Sequence, residues 1–182
     1  MRRFVGFHDH YPHSRVMPFI AALVAEIDQE MKTTRSLLER VPMDKAAWKP
    51  HGKSMSLGQL ASHLANLARF GGLISNGTEL DFSPPGQPPA PQPQYATREE
   101  VLKTFDSNVK KSRDAIARMS DESTRETWTL KHGGHVIIAA PRKVLYRTLF
   151  MNHMIHHRGQ LSVYLRLNDV PLPSIYGPTA DM

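Results

Sequence analysis

Apolar residues recur every three to four positions in four separate stretches of this chain, and that period commits most of it to amphipathic helices. In the first stretch Ile20, Leu23, Val24, Ile27, Met31, Thr34, Leu37 and Leu38 keep helical spacing to about Arg40. Pro18 suits the first helical position there, and Pro42 closes the run. The linker VPMDKAAWKPHGKSM leads to Ser56, which caps a second helix, LGQLASHLANLARFGGLI, weakened near its end by Gly71 and Gly72. Thr97 and Glu100 form a capping box for a third, with Val101, Phe105, Val109, Ile116 and Met119 facing inward. Pro141 opens the fourth, from Arg142 to about Leu167. Four such helices with one long connection predict an all-α fold, a four-helix bundle.

Three segments fall outside that period. Residues 77–96, GTELDFSPPGQPPAPQPQYA, are rich in proline and read as a loop, partly polyproline II. A bland linker is the default there, although a loop of this length also has the reach to cover a site. TWTLKHGGHVII places β-rich runs on either side of HGGH, which predicts a short hairpin before the last helix. Residues 1–16 sustain no period and read as a flexible N-terminal arm, leaving 17–182 as one domain. The arm's His8, His10 and His13 have no rigid element to fix a ligand geometry. No internal repeat of fixed period is present.

Composition narrows the chemistry. The chain has no cysteine, so disulfides, thiolate metal sites and a cysteine nucleophile are excluded. Its longest strongly apolar run, Phe19–Ala25, is far too short to span a bilayer. The polar HDHYPHSR after Arg2 and Arg3 spoils a signal-peptide reading, and a cytoplasmic protein is the expectation. A formal charge of +6 permits nucleic-acid binding, but acidic residues are mixed through most segments (EIDQEMK, REEVLK, DEST) and no basic stripe interleaved with aromatics appears. Neither a nucleic acid nor a membrane is expected as a partner.

The run NHMIHHRGQL carries His153, His156 and His157. On a wheel of about 100° per residue, Tyr146, Leu149, Phe150, Met154, Leu161, Tyr164 and Leu167 gather around His153. Asn152, Arg147, Arg158, Gly159, Ser162 and Arg166 take the opposite arc. His157 lies about 40° from His153 and about 6 Å along the axis, so the two can converge on one ion. His156 sits at the edge of the apolar arc and diverges from His157 by about 100°. A third inward histidine, His63, shares its helix face with Leu60, Leu67, Phe70 and Ile74. In that company a histidine is either a satisfied core residue or a ligand. Three uncompensated imidazoles in one core would be costly, and a shared cation satisfies all of them.

The run NHMIHHRGQLSVYLRLNDVPLPSIYGPTADM, together with WKPHGKSMSLGQLASHLANL, resembles the DinB-like family of damage-inducible, metal-dependent bundle proteins. The HxxxHRGQ pattern followed by YLR and P-x-IYGP is its most specific part, and the resemblance runs from about Met17 to the end. It implies a four-helix bundle, often a homodimer, with a three-histidine metal site. Carried over by position, the ligands are His63, His153 and His157, the three that the wheels select. The family's usual ending has an acidic residue where this chain has Met182.

Three imidazoles suit one divalent ion, with zinc or nickel first and iron or manganese after them. Open positions on such an ion belong to catalytic rather than structural sites. A metal-dependent hydrolase of a small molecule is therefore the leading expectation. A thiol S-transferase, as in some relatives, and a stress-related metal-binding or ligand-binding module without turnover are the alternatives. Gln160, about 20° from His153, is placed to orient a ligand, or simply to sit as a polar residue at the bundle end. Arg158 reads as an outward surface or dimer contact, whereas Tyr146 and Tyr164 read as core. Gly71 and Gly72 would let a helix of a second copy approach closely. No carboxylate base stands next to the ligands in the sequence.

Overall fold

The computed structural model describes residues 17–89 and 92–181. The arm at 1–16 with its three histidines, and Met182, lie outside the described residues. The long helices are α1 (Phe19–Leu38), α2 (Leu57–Leu67), α3 (Phe70–Asn76) and α4 (Arg98–Ala117). A last helical column joins α5 (Arg142–Leu145), a π-helical stretch Tyr146–Asn152 and α6 (His153–Leu167). Short strands β1 (Glu79–Asp81), β2 (Thr127–His132) and β3 (His135–Pro141) form one sheet in that order. This is the all-α bundle expected, with the hairpin ahead of the last helix. Among the described residues no helix is long and apolar enough to cross a membrane.

Local chemistry explains where the helices begin. Ser56 with Gln59 and Thr97 with Glu100 both make reciprocal capping boxes. Pro18 is the N-cap of α1 rather than its first helical residue. The Asp121 carboxylate accepts from the backbone N–H of Phe19 at 2.8 Å and Ile20 at 3.0 Å, so a remote side chain takes the capping role that proline cannot. In the hairpin, Gly133 and Gly134 have φ of +60° and +80°, the left-handed pair that a two-residue turn requires. Asp81 accepts from both of their N–H groups, at 3.0 and 2.8 Å.

That contact explains one departure. The segment 77–96 is not wholly a loop, because Glu79–Asp81 pairs in parallel with Thr129–Lys131 of β2. Leu80 packs against the core, and Lys131 pairs with Glu79 at 2.6 Å. The hairpin thus holds down the start of the Pro-rich segment.

The second helix departs too. It breaks at Ala68–Arg69, before the glycines, into α2 and α3. Ser112 of α4 holds the break: its hydroxyl donates to the Ala68 carbonyl at 2.6 Å and accepts from Gly72 N–H at 2.9 Å. Asn108 adds a bond to the Ala65 carbonyl at 2.9 Å. A Cβ on Gly71 would stand 2.9 Å from both Ile116 Cδ1 and Ser112 Cβ. The close approach that these glycines permit is therefore taken by α4 of the same chain, and they are not open to a second copy.

A regular wheel fails at three residues of the last helix. Met151 lies about 160° from His153 on a regular wheel, yet it is fully buried. The π-helical turns advance less per residue than a regular helix and swing Met151 into the core beside Phe150 and Tyr146. Leu167, placed on the apolar arc, is exposed because it ends the helix beyond the core. Arg158, expected outside, is 1% exposed. Its guanidinium meets Glu30 of α1 at 2.6 Å and the Tyr176 hydroxyl, and Tyr176 donates to Glu30 at 2.9 Å. The outer arc of α6 is covered there by α1 and the C-terminal segment, a relation that a single-helix wheel does not contain. Tyr146 is buried and Tyr164 packs on the core, as expected.

Candidate metal centre

His63 comes from the middle of α2, and His153 and His157 from successive turns of α6. Packing of α2 against α6 brings the three rings together, with centroids 5.5 Å apart for His63–His153, 4.4 Å for His63–His157 and 4.7 Å for His153–His157. One nitrogen from each lies within 4.8 Å of the others, a spacing able to hold a metal ion. His153 is the first residue after the π-helical stretch, so that local widening sets the phase at which both α6 histidines enter the interior. His156 is exposed and outside the group.

Burial disfavours the charged form of all three imidazoles. Burial and then the neighbouring His157 and His153 rings push His63 down to about 4. His153 is lowered by burial first and then by His157, against a hydrogen bond to the backbone of Leu149. His157 is lowered by burial, opposed by Gln160. Neutral rings offer lone pairs, which is what ligation needs.

Gln160 arranges one of them. Its carbonyl Oε1 stands 2.7 Å from His157 Nδ1, and its amide nitrogen 3.1 Å from His156 Nε2. An amide oxygen only accepts, so His157 carries its proton on Nδ1 and keeps Nε2 as the free lone pair. His63 Nε2 is buried with no hydrogen-bond partner among the described residues. An orphaned buried nitrogen is rare in a folded protein, and a cation shared with its neighbours would satisfy it. The donor set fits a divalent ion.

The group opens into a cavity of about 460 Å³ that His63 and His153 line from one side. Pro89, Gln92, Pro93 and Gln94 of the Pro-rich segment line it from another. That segment therefore covers the cavity. Ser62 and Asn66, which flank His63, staple it down: Tyr95 N–H donates to Ser62 at 3.0 Å, its hydroxyl to Asn66 at 2.6 Å, and Asn66 donates to the Pro93 carbonyl at 2.9 Å. Phe70, Phe82, Arg69 and His132 complete much of the wall. Sequence reasoning missed the last two. A regular wheel puts Arg69 about 120° from His63, and only the break at Ala68–Arg69 turns it to the same cavity. The sequence contains no signal that the hairpin end carrying His132 returns to α2.

A helical bundle with three convergent histidines beneath a loop-covered cavity defines a class of protein. The DinB family model matches residues 16–181, and this chain belongs to the DinB family. It is 26% identical over 148 residues to the protein YjoA of Bacillus subtilis (strain 168), covering 79% of this chain and 87% of that protein. Two crystal structures share the fold. A DinB-like protein from Bacillus cereus superposes with a TM-score of 0.66 at 16% identity, covering 88% of this chain and all of the other. The DinB-like YjoA structure from Bacillus subtilis gives 0.63 at 17% identity, covering 87% and 99%.

Proposed function

We propose that this protein is a metal-dependent hydrolase of a small molecule, with one divalent ion held by His63, His153 and His157. The observation that carries the reading is the spacing of three neutral imidazoles, ligand atoms within 4.8 Å, at one end of a covered cavity. Zinc or nickel suits such ligands best, with iron or manganese as further possibilities. When bound, the ion supplies Lewis acidity at positions that the three rings leave open toward the cavity. The chain's own residues do the rest. Gln160 fixes the tautomer of His157, the stapled Pro-rich segment limits water, and Phe70 and Phe82 offer apolar walls to a substrate body.

One observation favours a second reading. No aspartate or glutamate is among the described residues lining the cavity, so a carboxylate base for hydrolysis is lacking. A thiol S-transferase that activates its nucleophile as a thiolate at the ion needs no such base. The two readings separate on a panel of esters, amides and thiol–electrophile pairs assayed with zinc-loaded and nickel-loaded protein. Turnover of esters or amides supports the hydrolase, and thiol-dependent turnover alone supports the transferase. A protein that binds metal but turns over neither class is a binding module. Assembly belongs to the same proposal: Val163 and Leu167, exposed and one turn apart on α6, support a homodimer built on bundle helices. Its interface should exceed about 1,000 Å². Light scattering at low micromolar concentration gives twice the chain mass if the pairing is right.

A further inference from the structure

Two residues that line this one cavity, His63 and Arg69, each hold a buried side-chain nitrogen without a partner among the described residues, Nε2 and Nε respectively. The first has a use in metal binding. The second has none, because a guanidinium keeps its charge and offers no lone pair. The other buried or half-buried arginines all meet a carboxylate: Arg35 at Asp106, Arg113 at Asp28, Arg142 at Glu126 and Arg158 at Glu30. Arg69 makes no side-chain hydrogen bond or ion pair among the described residues. Arg69 is only half-buried, so the outer nitrogens of its guanidinium are left free to take an anion. Arg69 also borders a neighbouring cavity of about 350 Å³, but Glu79 and Lys111 there already supply both signs of charge.

We propose that Arg69 is the anion anchor of the metal-site cavity, and that its ligand is a small carboxylate with an apolar body. The carboxylate lies on the Arg69 fork, the body runs along Leu67, Phe70 and Phe82, and the far end faces His63 and His153. Arg69 follows His63 by six positions, just past the end of α2, a span on the order of 9 Å at about 1.5 Å per residue, which is the length of a six-carbon chain with its end groups. A single permanent cation suits a monoanion better than a phosphate dianion. The assignment rests on the reading of this pocket as a metal-dependent site, but the anchor itself can be tested without metal.

Ligand-observed NMR on the full, chelator-treated chain compares hexanoate, 1-hexanol and hexyl phosphate, and zinc uptake is measured separately. Hexanoate should bind about ten- to a hundredfold more tightly than hexanol, the span of a charge-assisted pair. Arg69→Gln should erase that preference while zinc stoichiometry stays unchanged, and Arg69→Lys should keep part of it. Equal binding of hexanoate and hexanol by the natural chain, a preference that survives Arg69→Gln, or tighter binding of hexyl phosphate would overturn the proposal. If Arg69→Gln does not fold, as judged by circular dichroism, the natural chain's ratio and Arg69→Lys decide the matter. Failure of zinc uptake with the hexanoate preference intact would sink the metal reading and leave the anchor standing.

Discussion

His157 and Arg158 are neighbours in sequence and face two buried polar clusters of opposite character. Around Arg158 every charge is answered: Glu30 takes the guanidinium, Tyr176 bonds to both, and the Arg158 guanidinium lies 5.1 Å from the Tyr176 ring centre. Around His157 three rings crowd together with no charge of either sign, and one nitrogen is left unpaired. The first cluster is complete as it stands and ties α1, α6 and the C-terminal segment into one register. The second keeps an unpaired buried nitrogen that a shared cation would satisfy.

The largest effect expected from that contrast falls on metal affinity. His63→Ala or His157→Ala leaves two imidazoles, and tight binding should vanish in a stoichiometric zinc assay while the fold survives. Arg158→Ala should do the reverse. Stranding Glu30 in the interior should cost about 3–5 kcal/mol in urea unfolding, with metal stoichiometry unchanged in the protein that remains folded. Loss of metal without loss of stability in Arg158→Ala would break the comparison outright.

Smaller effects sharpen it. Gln160→Ala frees the His157 tautomer and should weaken metal binding about 10- to 100-fold, read by competition with a chelator. The metal-free protein should lose stability as pH falls. The three histidines bind protons less readily folded than unfolded, where about 6.5 is usual, and His63 lies near 4. Between those values the unfolded chain holds more protons, so stability drops with acidification across that window. Stability that rises on acidification would contradict neutral imidazoles. His156→Ala, at an exposed ring outside the group, should change zinc affinity least of all.

The sequence made the bundle legible because helical periodicity and capping boxes are local, and Ser56–Gln59 and Thr97–Glu100 form as written. The convergence of His63, His153 and His157 was legible for a related reason, since each lies on an inward face of its own helix. What failed depends on contacts between elements. Arg158 looked outward until α1 and Tyr176 covered it, and Gly71 looked free until α4 packed against it. Burial of Met151 depends on a change of helical pitch, and the turn of Arg69 to the cavity on a helix break that Ser112 stabilises from another helix, so neither residue stood out in the sequence. Pairing of β1 with β2 joins residues about fifty positions apart, beyond any local pattern.

Metal content tests the central claim most directly. The full chain, stripped with a chelator and then titrated with zinc, nickel, iron and manganese, should take up one divalent ion per chain. Cobalt substituted at the site should show the absorption of imidazole coordination, lost in His63→Ala and kept in His156→Ala. A chain that takes up none of the four metals, or binds them equally well without His63, would contradict the account.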